Sequence, residues 1–309
     1  MSTGSLPDVA TTLVGVVRTI IPEIRPRLIS SALSGSHGER ENQRHEDNFL
    51  SSHDLWLHDR YKELLRAQLP GFVYASEEAD PEIVGSDPDP DLVVLVDPLD
   101  TSELAVRGIL GYTHVMAYSR FLARPVAAVV GDLFHHIQLY IAARDAHGDD
   151  HAYVATDGGQ PQGVAVHHGT ALSDALVTNY LMRPTERLLP LANQTRLIEA
   201  LGTRPPGAKS RGRVGVDFGS VSLCHVATGA TDATIEFAKG FALWDLAPGH
   251  YILHAAGGTV IDLDGIPLPL DHQLNSMADI AEAMNRRQTF IAASTPELAR
   301  SILNVLDLL

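Results

Sequence analysis

Residues 92 to 104 read Leu-Val-Val-Leu-Val-Asp-Pro-Leu-Asp-Thr-Ser-Glu-Leu: a branched-aliphatic run, two aspartates parted by Pro98 and Leu99, then two hydroxyl residues. Leu92 to Val96 carries no charge, which suits a buried central strand, so Asp97 and Asp100 emerge where that strand meets solvent. Pro98 fixes its own φ and biases Asp97 away from helical geometry. Two carboxylates on a stiff turn suit Mg²⁺ or Mn²⁺ better than zinc, because hard divalent cations favour oxygen donors. In isolation a D-P-x-D step is also an ordinary capped surface turn. Other acids stand at element ends: Glu77 and Glu78 close an apolar strand, and Asp245 follows Trp244 at the opening of a helix.

Several elements must position these groups. Apolar spacing predicts a helix over 8–33, perturbed near Pro22 and Pro26, and a second over 54–69 that stops at Pro70-Gly71. Strands are expected over 72–75 and 92–96, then an antiparallel meander over 112–121, 126–133 and 137–142. The Gly, Asp, His and Gln content of 144–163 marks a boundary, giving subdomains 1–150 and 151–309. Beyond it strands are expected near 176–180, 233–237, 259–263 and 289–293, with helices over 185–201, 220–229 and 244–256 and a closing helix. The alternation predicts a mixed α/β, or α+β, fold.

Composition narrows the function. A chain of 309 residues, 45% of them hydrophobic, can bury a large core. Its formal charge of −15 leaves no basic stripe for a phosphate backbone, so nucleic acid is not an expected partner. No run reaches the about eighteen apolar residues of a spanning helix, and Met1 to Ala10 lacks the regions of a signal peptide, which predicts a cytoplasmic protein without a membrane partner. Cys224, the single cysteine, has the apolar neighbours Leu223 and Val226 and reads as a small core hydrophobe. His250 and His254 lie one turn apart, but H-Y-I-L-H lacks the glutamate of H-E-x-x-H, which argues against zinc. Neither a G-x-S-x-G elbow nor a G-x-x-x-x-G-K-[ST] loop is present.

Taken in order, Ser76-Glu77-Glu78, Asp97-Pro98-Leu99-Asp100-Thr101-Ser102, Val226-Ala227-Thr228-Gly229 with Asp232, Trp244-Asp245 and Ala256-Gly257-Gly258-Thr259-Val260 resemble a known signature. It is that of the inositol monophosphatase superfamily, Mg²⁺-dependent, lithium-sensitive phosphatases marked by an acidic pair, D-P-(I/L)-D-G-(T/S), W-D-x-A-x-G and A-G-G. Each motif alone is weak; their order is specific, and the likeness covers most of the chain. It implies a layered αβαβα sandwich, a homodimer, and a site holding two or three Mg²⁺, with Mn²⁺ as a substitute. On this numbering Glu77, Asp97 and the carbonyl of Leu99 look like ligands of one cation, Asp97, Asp100 and Asp245 of a second, and Glu77 with Asp97 of a looser third. Ser102 resembles the hydroxyl residue that orients a water, and Asp54 the acid that bonds to it. The N–H groups of Thr101 and Ser102 would meet phosphate oxygens.

Such a site suits phosphate-ester hydrolysis, in which the protein gathers charge and positions a metal-activated water, with little covalent chemistry of its own. The expected substrate is a small phosphorylated alcohol, sugar, inositol or nucleotide. Two departures stand out. Thr101 replaces the family glycine, where a Cβ crowds any positive-φ backbone, so a catalytically degenerate, phospho-ligand-binding relative is the rival reading. Between Glu236 and Asp245 there are two more residues than in inositol-specific relatives, so Glu236 is only a candidate for the sugar-recognising acid. Lys239, Lys209, Arg211 and Arg213 are candidates for a second anionic group, although such side chains are usually solvated surface.

Overall fold

The computed structural model describes residues 6–42, 48–167, 169, 171–204 and 211–308, so Lys209 and the first five residues lie outside the described residues. The chain forms two compact units, Met1–Gly163 with Leu270–Asn285, and Val164–Pro269 with Arg286–Leu309.

Helix α1 (Asp8–Ser34) runs through Pro22 and Pro26 without a break. Leu13, Val17, Ile20, Ile24 and Leu28 recur at spacings of three and four and are fully buried. That stripe outweighs the ladder bonds the prolines forgo. After the short pair β1 (Glu39–Arg40) and β2 (Leu50–Ser51), α2 (Ser52–Gln68) begins at a capping box in which Ser51 and Asp54 satisfy each other's ends.

The first sheet follows: β3 (Gly71–Ser76), β4 (Ala79–Gly85), β5 (Leu92–Asp100), a single-turn α3 (Ser102–Ala105), β6 (Tyr112–Ser119), β7 (Arg124–Asp132), β8 (Ile137–Arg144), β9 (Asp150–Thr156) and β10 (Gln162–Gly163). Its order is β10-β9-β8-β7-β6-β5-β3-β4, antiparallel throughout except where β3 lies parallel to β5. The expected meander is thus β6 to β8. The expected boundary at 150 falls later, after residue 163, because β9 and β10 extend the same hairpin series. β4 escapes prediction because it contains Pro81, which an edge strand tolerates. Helices α1 and α2 bury Ile20, Ile24, Leu57 and Tyr61 with Val94, Val96, Val115 and Val129 of the sheet. Gly131 on β7 lets α1 approach, since a Cβ there would lie 2.7 Å from Val17 Cγ1.

The second unit carries β11 (Leu176–Asn179), α4 (Leu189–Ala192), α5 (Thr195–Gly202), β12 (Arg213–Val216), α6 (Gly219–Ala227), β13 (Ala233–Ala242), α7 (Leu243–Ala255) and β14 (Thr259–Ile261). Helix α8 (Met277–Asn285) belongs to the first unit; β15 (Arg287–Ala293) and α9 (Pro296–Leu303) complete the second. The sheet order is β12-β11-β13-β15-β14. Instead of one helix over 185–201 there are three pieces: a wide turn over Pro184–Leu188, then α4 and α5. The break at Asn193-Gln194 is anchored by the Gln194 amide, which accepts the Asp307 N–H at 2.7 Å. The mixed α/β expectation holds.

Candidate metal and phosphate site

Strand periodicity alone would put Asp97 and Asp100 on opposite faces of β5, because they are three residues apart. The structure resolves this with a bulge. Asp97 pairs with His114 and Asp100 with Tyr112, so three steps on β5 face two on β6. The extra residue at Pro98-Leu99 turns both carboxylates to the same side. There Asp97, Asp100 and His114 each offer an atom within 4.8 Å of the others. All three are buried, with Asp97 1% and Asp100 8% exposed. His114 Nε2 lies 3.3 Å from Asp100 Oδ2, and Nδ1 lies 3.8 Å from Asp97 Oδ2.

The hydroxyl expected to orient water is next to them. Ser102 Oγ is 2.5 Å from Asp54 Oδ1 and 2.7 Å from the Leu99 carbonyl oxygen. Its single hydrogen serves one of these acceptors at a time. Asp54 Oδ2 accepts the N–H of Ser51 at 2.8 Å and its hydroxyl at 2.6 Å. In the structure Asp54 is in contact with Ser102, 48 residues away in sequence. Burial pushes the Asp54 carboxyl above the usual carboxylate range, against the opposing pull of the Ser102 and Ser51 hydrogen bonds.

Glu77 follows the end of β3, and its N–H donates to the Val96 carbonyl at 3.2 Å, beside the start of the Asp97 turn. Carboxyl ends of adjacent parallel strands are where α/β sheets place ligands. Glu77 Oε1 accepts from Asn48 Nδ2 at 3.3 Å, and the glutamate is not among the residues grouped closely with Asp97 and Asp100. Thr101 is left-handed, with φ 59° and ψ 39°, and its hydroxyl donates to the Asp100 carbonyl at 2.6 Å. The backbone conformation that favours glycine is therefore kept although glycine is absent.

In the second unit Asp245 occupies the first turn of α7, and its carbonyl accepts the Ser220 hydroxyl at 2.6 Å. Glu236 is 1% exposed. Its Oε1 accepts the N–H groups of Ala238, Lys239 and Gly240 at 3.0–3.3 Å, while Oε2 lies 3.0 Å from Arg187 Nε. The carboxylate expected to recognise a sugar is thus engaged in closing a bulge and in an internal ion pair. Lys239 Nζ pairs with Glu186 at 2.6 Å.

Sequence reasoning missed two residues. His114 is an imidazole in the apolar β6 run; its oddity was visible, but its partner depends on a register that includes the bulge. Arg187, buried against the Tyr180 ring with its guanidinium carbon 4.1 Å from the centroid, falls inside the helix expected over 185–201, where no motif marks it.

A mixed sheet with buried carboxylates and an imidazole at the end of a central strand defines an α/β protein with a site able to hold a metal ion. Over residues 6–302 the sequence matches the inositol monophosphatase family, and the chain belongs to it. It is 38% identical to human inositol monophosphatase 2 over 112 residues, 35% of either chain, so the chain matches about a third of that relative's length. Rat 3'(2'),5'-bisphosphate nucleotidase 1 is 24% identical over 216 residues, 69% of this chain and 64% of the relative. Among solved structures, the extragenic suppressor protein suhB from Bartonella henselae superposes with a TM-score of 0.67 at 17% identity, covering 97% of this chain and 99% of the other. That likeness shows that the fold is shared.

Proposed function

We propose that this chain is a divalent-cation-dependent phosphomonoesterase acting on a small phosphorylated alcohol, sugar, inositol or nucleotide. The observation that carries the reading is the β5 bulge, which turns Asp97 and Asp100 to one side directly before the Ser102–Asp54 pair. Family membership and relatives named as an inositol monophosphatase and a bisphosphate nucleotidase support it.

The donor set fits a hard divalent cation. Two carboxylates with less than a tenth of their surface exposed repel each other unless a positive charge joins them, and carboxylate oxygen is the donor Mg²⁺ and Mn²⁺ prefer. Glu77, Asp97, Asp100, Asp245 and the Leu99 carbonyl would hold such cations, as the family likeness suggests. When bound, they supply Lewis-acid stabilisation of phosphoryl charge and lower the pKa of a water. The chain's own residues do the rest. Ser51 holds the Asp54 carboxylate, Asp54 accepts from the Ser102 hydroxyl, and that hydroxyl positions the attacking water and relays its proton. The N–H groups of Thr101 and Ser102 meet phosphate oxygens. Glu236 has no part in this scheme, and Lys239 reaches a second anionic group of the substrate only by leaving Glu186.

Purified protein tested on a phosphate-ester panel with Mg²⁺ or Mn²⁺ should release phosphate, and Asp97→Asn should abolish release. Full activity in Asp97→Asn would sink the mechanism. A second reading, a phospho-ligand-binding protein without turnover, is favoured by the threonine at a left-handed position. It predicts metal-dependent ligand binding by calorimetry with no phosphate released. The homodimer and the cytoplasmic location expected from the sequence remain part of the proposal, and sedimentation tests the former.

A further inference from the structure

His114 has no part in the reaction as described, yet both of its ring nitrogens face the acids of the proposed cation site. It lies directly across the β5–β6 ladder from Asp97, is completely buried, and its Nε2 is 3.3 Å from Asp100 Oδ2. Nδ1 is 3.8 Å from Asp97 Oδ2; Nε2 at 3.3 Å is the ring nitrogen nearer to a carboxylate, in ion-pair contact with Asp100 Oδ2 and not in hydrogen-bond geometry, so it is the donor that a small turn of the Asp100 carboxylate would engage. A carboxylate is free to turn about its Cβ–Cγ bond, and a cation needs a particular oxygen presented to it. A buried donor that engages one oxygen presents the other. The bulge matters equally: without the extra residue at Pro98-Leu99, Asp97 and Asp100 would not share the side on which His114 stands.

We propose that His114 is a positioning residue of the divalent-cation site, its Nε2–H holding Oδ2 of Asp100 so that the remaining carboxylate oxygens of Asp97 and Asp100 converge on the cation. This rests on the metal-dependent reading above. Supporting groups behind metal ligands raise affinity by orienting them, and their loss costs about 10–100-fold. His114 thus sets how tightly the cation is held more than how fast chemistry proceeds once it is bound.

The test uses the full-length chain and Mn²⁺ alone, titrated by calorimetry and observed by pulsed electron paramagnetic resonance. His114→Leu should weaken Mn²⁺ binding by about 10–100-fold, and His114→Gln, whose amide donates from a similar reach, should recover most of it. At saturating Mn²⁺, kcat on a phosphate ester should fall far less than the affinity does. The Mn²⁺ spectrum of the parent should show no coupling to a directly bound nitrogen; such coupling would make His114 a ligand and overturn the proposal without any variant. Unchanged Mn²⁺ affinity in His114→Leu would overturn it too, while leaving the metal-dependent reading intact. A parent protein that binds no Mn²⁺ would overturn both. If His114→Leu fails to fold, by near-ultraviolet circular dichroism, the glutamine variant and the parent spectrum still decide.

Discussion

At Thr101 the backbone adopts φ 59° and ψ 39°, a region in which a β-branched side chain is strained by about 1–2 kcal/mol. Glycine would relieve that strain but return about 0.5–1 kcal/mol of unfolded-state entropy. Thr101→Gly is therefore expected to stabilise the protein by no more than about 1.5 kcal/mol in urea unfolding. Removing the Cβ also opens the approach to Ser102, so kcat/KM on a phosphate ester should rise; a fall would mean that the threonine hydroxyl itself serves the substrate. Asp54 gives a pH prediction. A carboxyl whose folded pKa is raised costs no stability while both states are protonated. The cost grows as pH rises from the unfolded value toward the folded one and is complete above it. Asp54→Asn should lack that decline, and the acid limb of kcat, placed by Asp54 above the ordinary carboxylate range, should vanish along with about 100-fold of the rate. At this scale Asp97, Asp100, Ser102 and Asp245 were visible in the sequence as residue types in order. The convergence of Asp97 and Asp100 was not, because it depends on a one-residue bulge that spacing alone argues against. The same reason hid His114.

Regular elements were legible where one period dominated. The stripe of α1 survived two internal prolines, and β6 to β8 read as strands because their apolar runs are bounded by turns. Where geometry is irregular the pattern said little: the broken run from Pro184 to Gly202, and the loop-like middle of β13. There β13 leaves its register with β15 between Glu236 and Phe241, and the excursion is closed by the Glu236 carboxylate under three backbone N–H groups. Arg187 completes the knot, its guanidinium over Tyr180 and Nη2 donating to the Gly240 carbonyl at 3.2 Å. Removing one partner of a buried ion pair strands the other charge. Arg187→Met and Glu236→Gln should each destabilise the protein by about 3–5 kcal/mol, and the double variant by less than the sum. Urea denaturation of the four proteins measures this. A Glu236→Gln variant of unchanged stability and raised KM would restore the sugar-recognition role.

For the whole molecule, each unit has its own core, and mixed α/β architecture followed from the alternation of patterns. The return of Leu270–Asn285 to the first unit did not, since nothing in that stretch announces its destination. There Tyr118 donates to Asp271 at 2.8 Å and Arg120 to the Asn275 carbonyl at 3.0 Å. The chain carries a formal charge of −15, and two of its buried acids, Asp97 and Asp100, lie together in the first unit. Metal-free protein should therefore gain stability when one of them is neutralised, by between about 1 kcal/mol, the bulk-water figure for like charges about 4 Å apart, and about 4 kcal/mol at an effective dielectric of about 20. A cation that binds only the folded state opposes this, adding about 4.1 kcal/mol at about a thousand times its Kd and more as its concentration rises. Asp97→Asn should then be more stable than the parent in chelator and less stable in excess Mn²⁺. Thermal unfolding under the two conditions reads the exchange of order directly. Scattered or solvated acids would leave the order the same in both, because neither the repulsion nor the bound cation would exist to invert it.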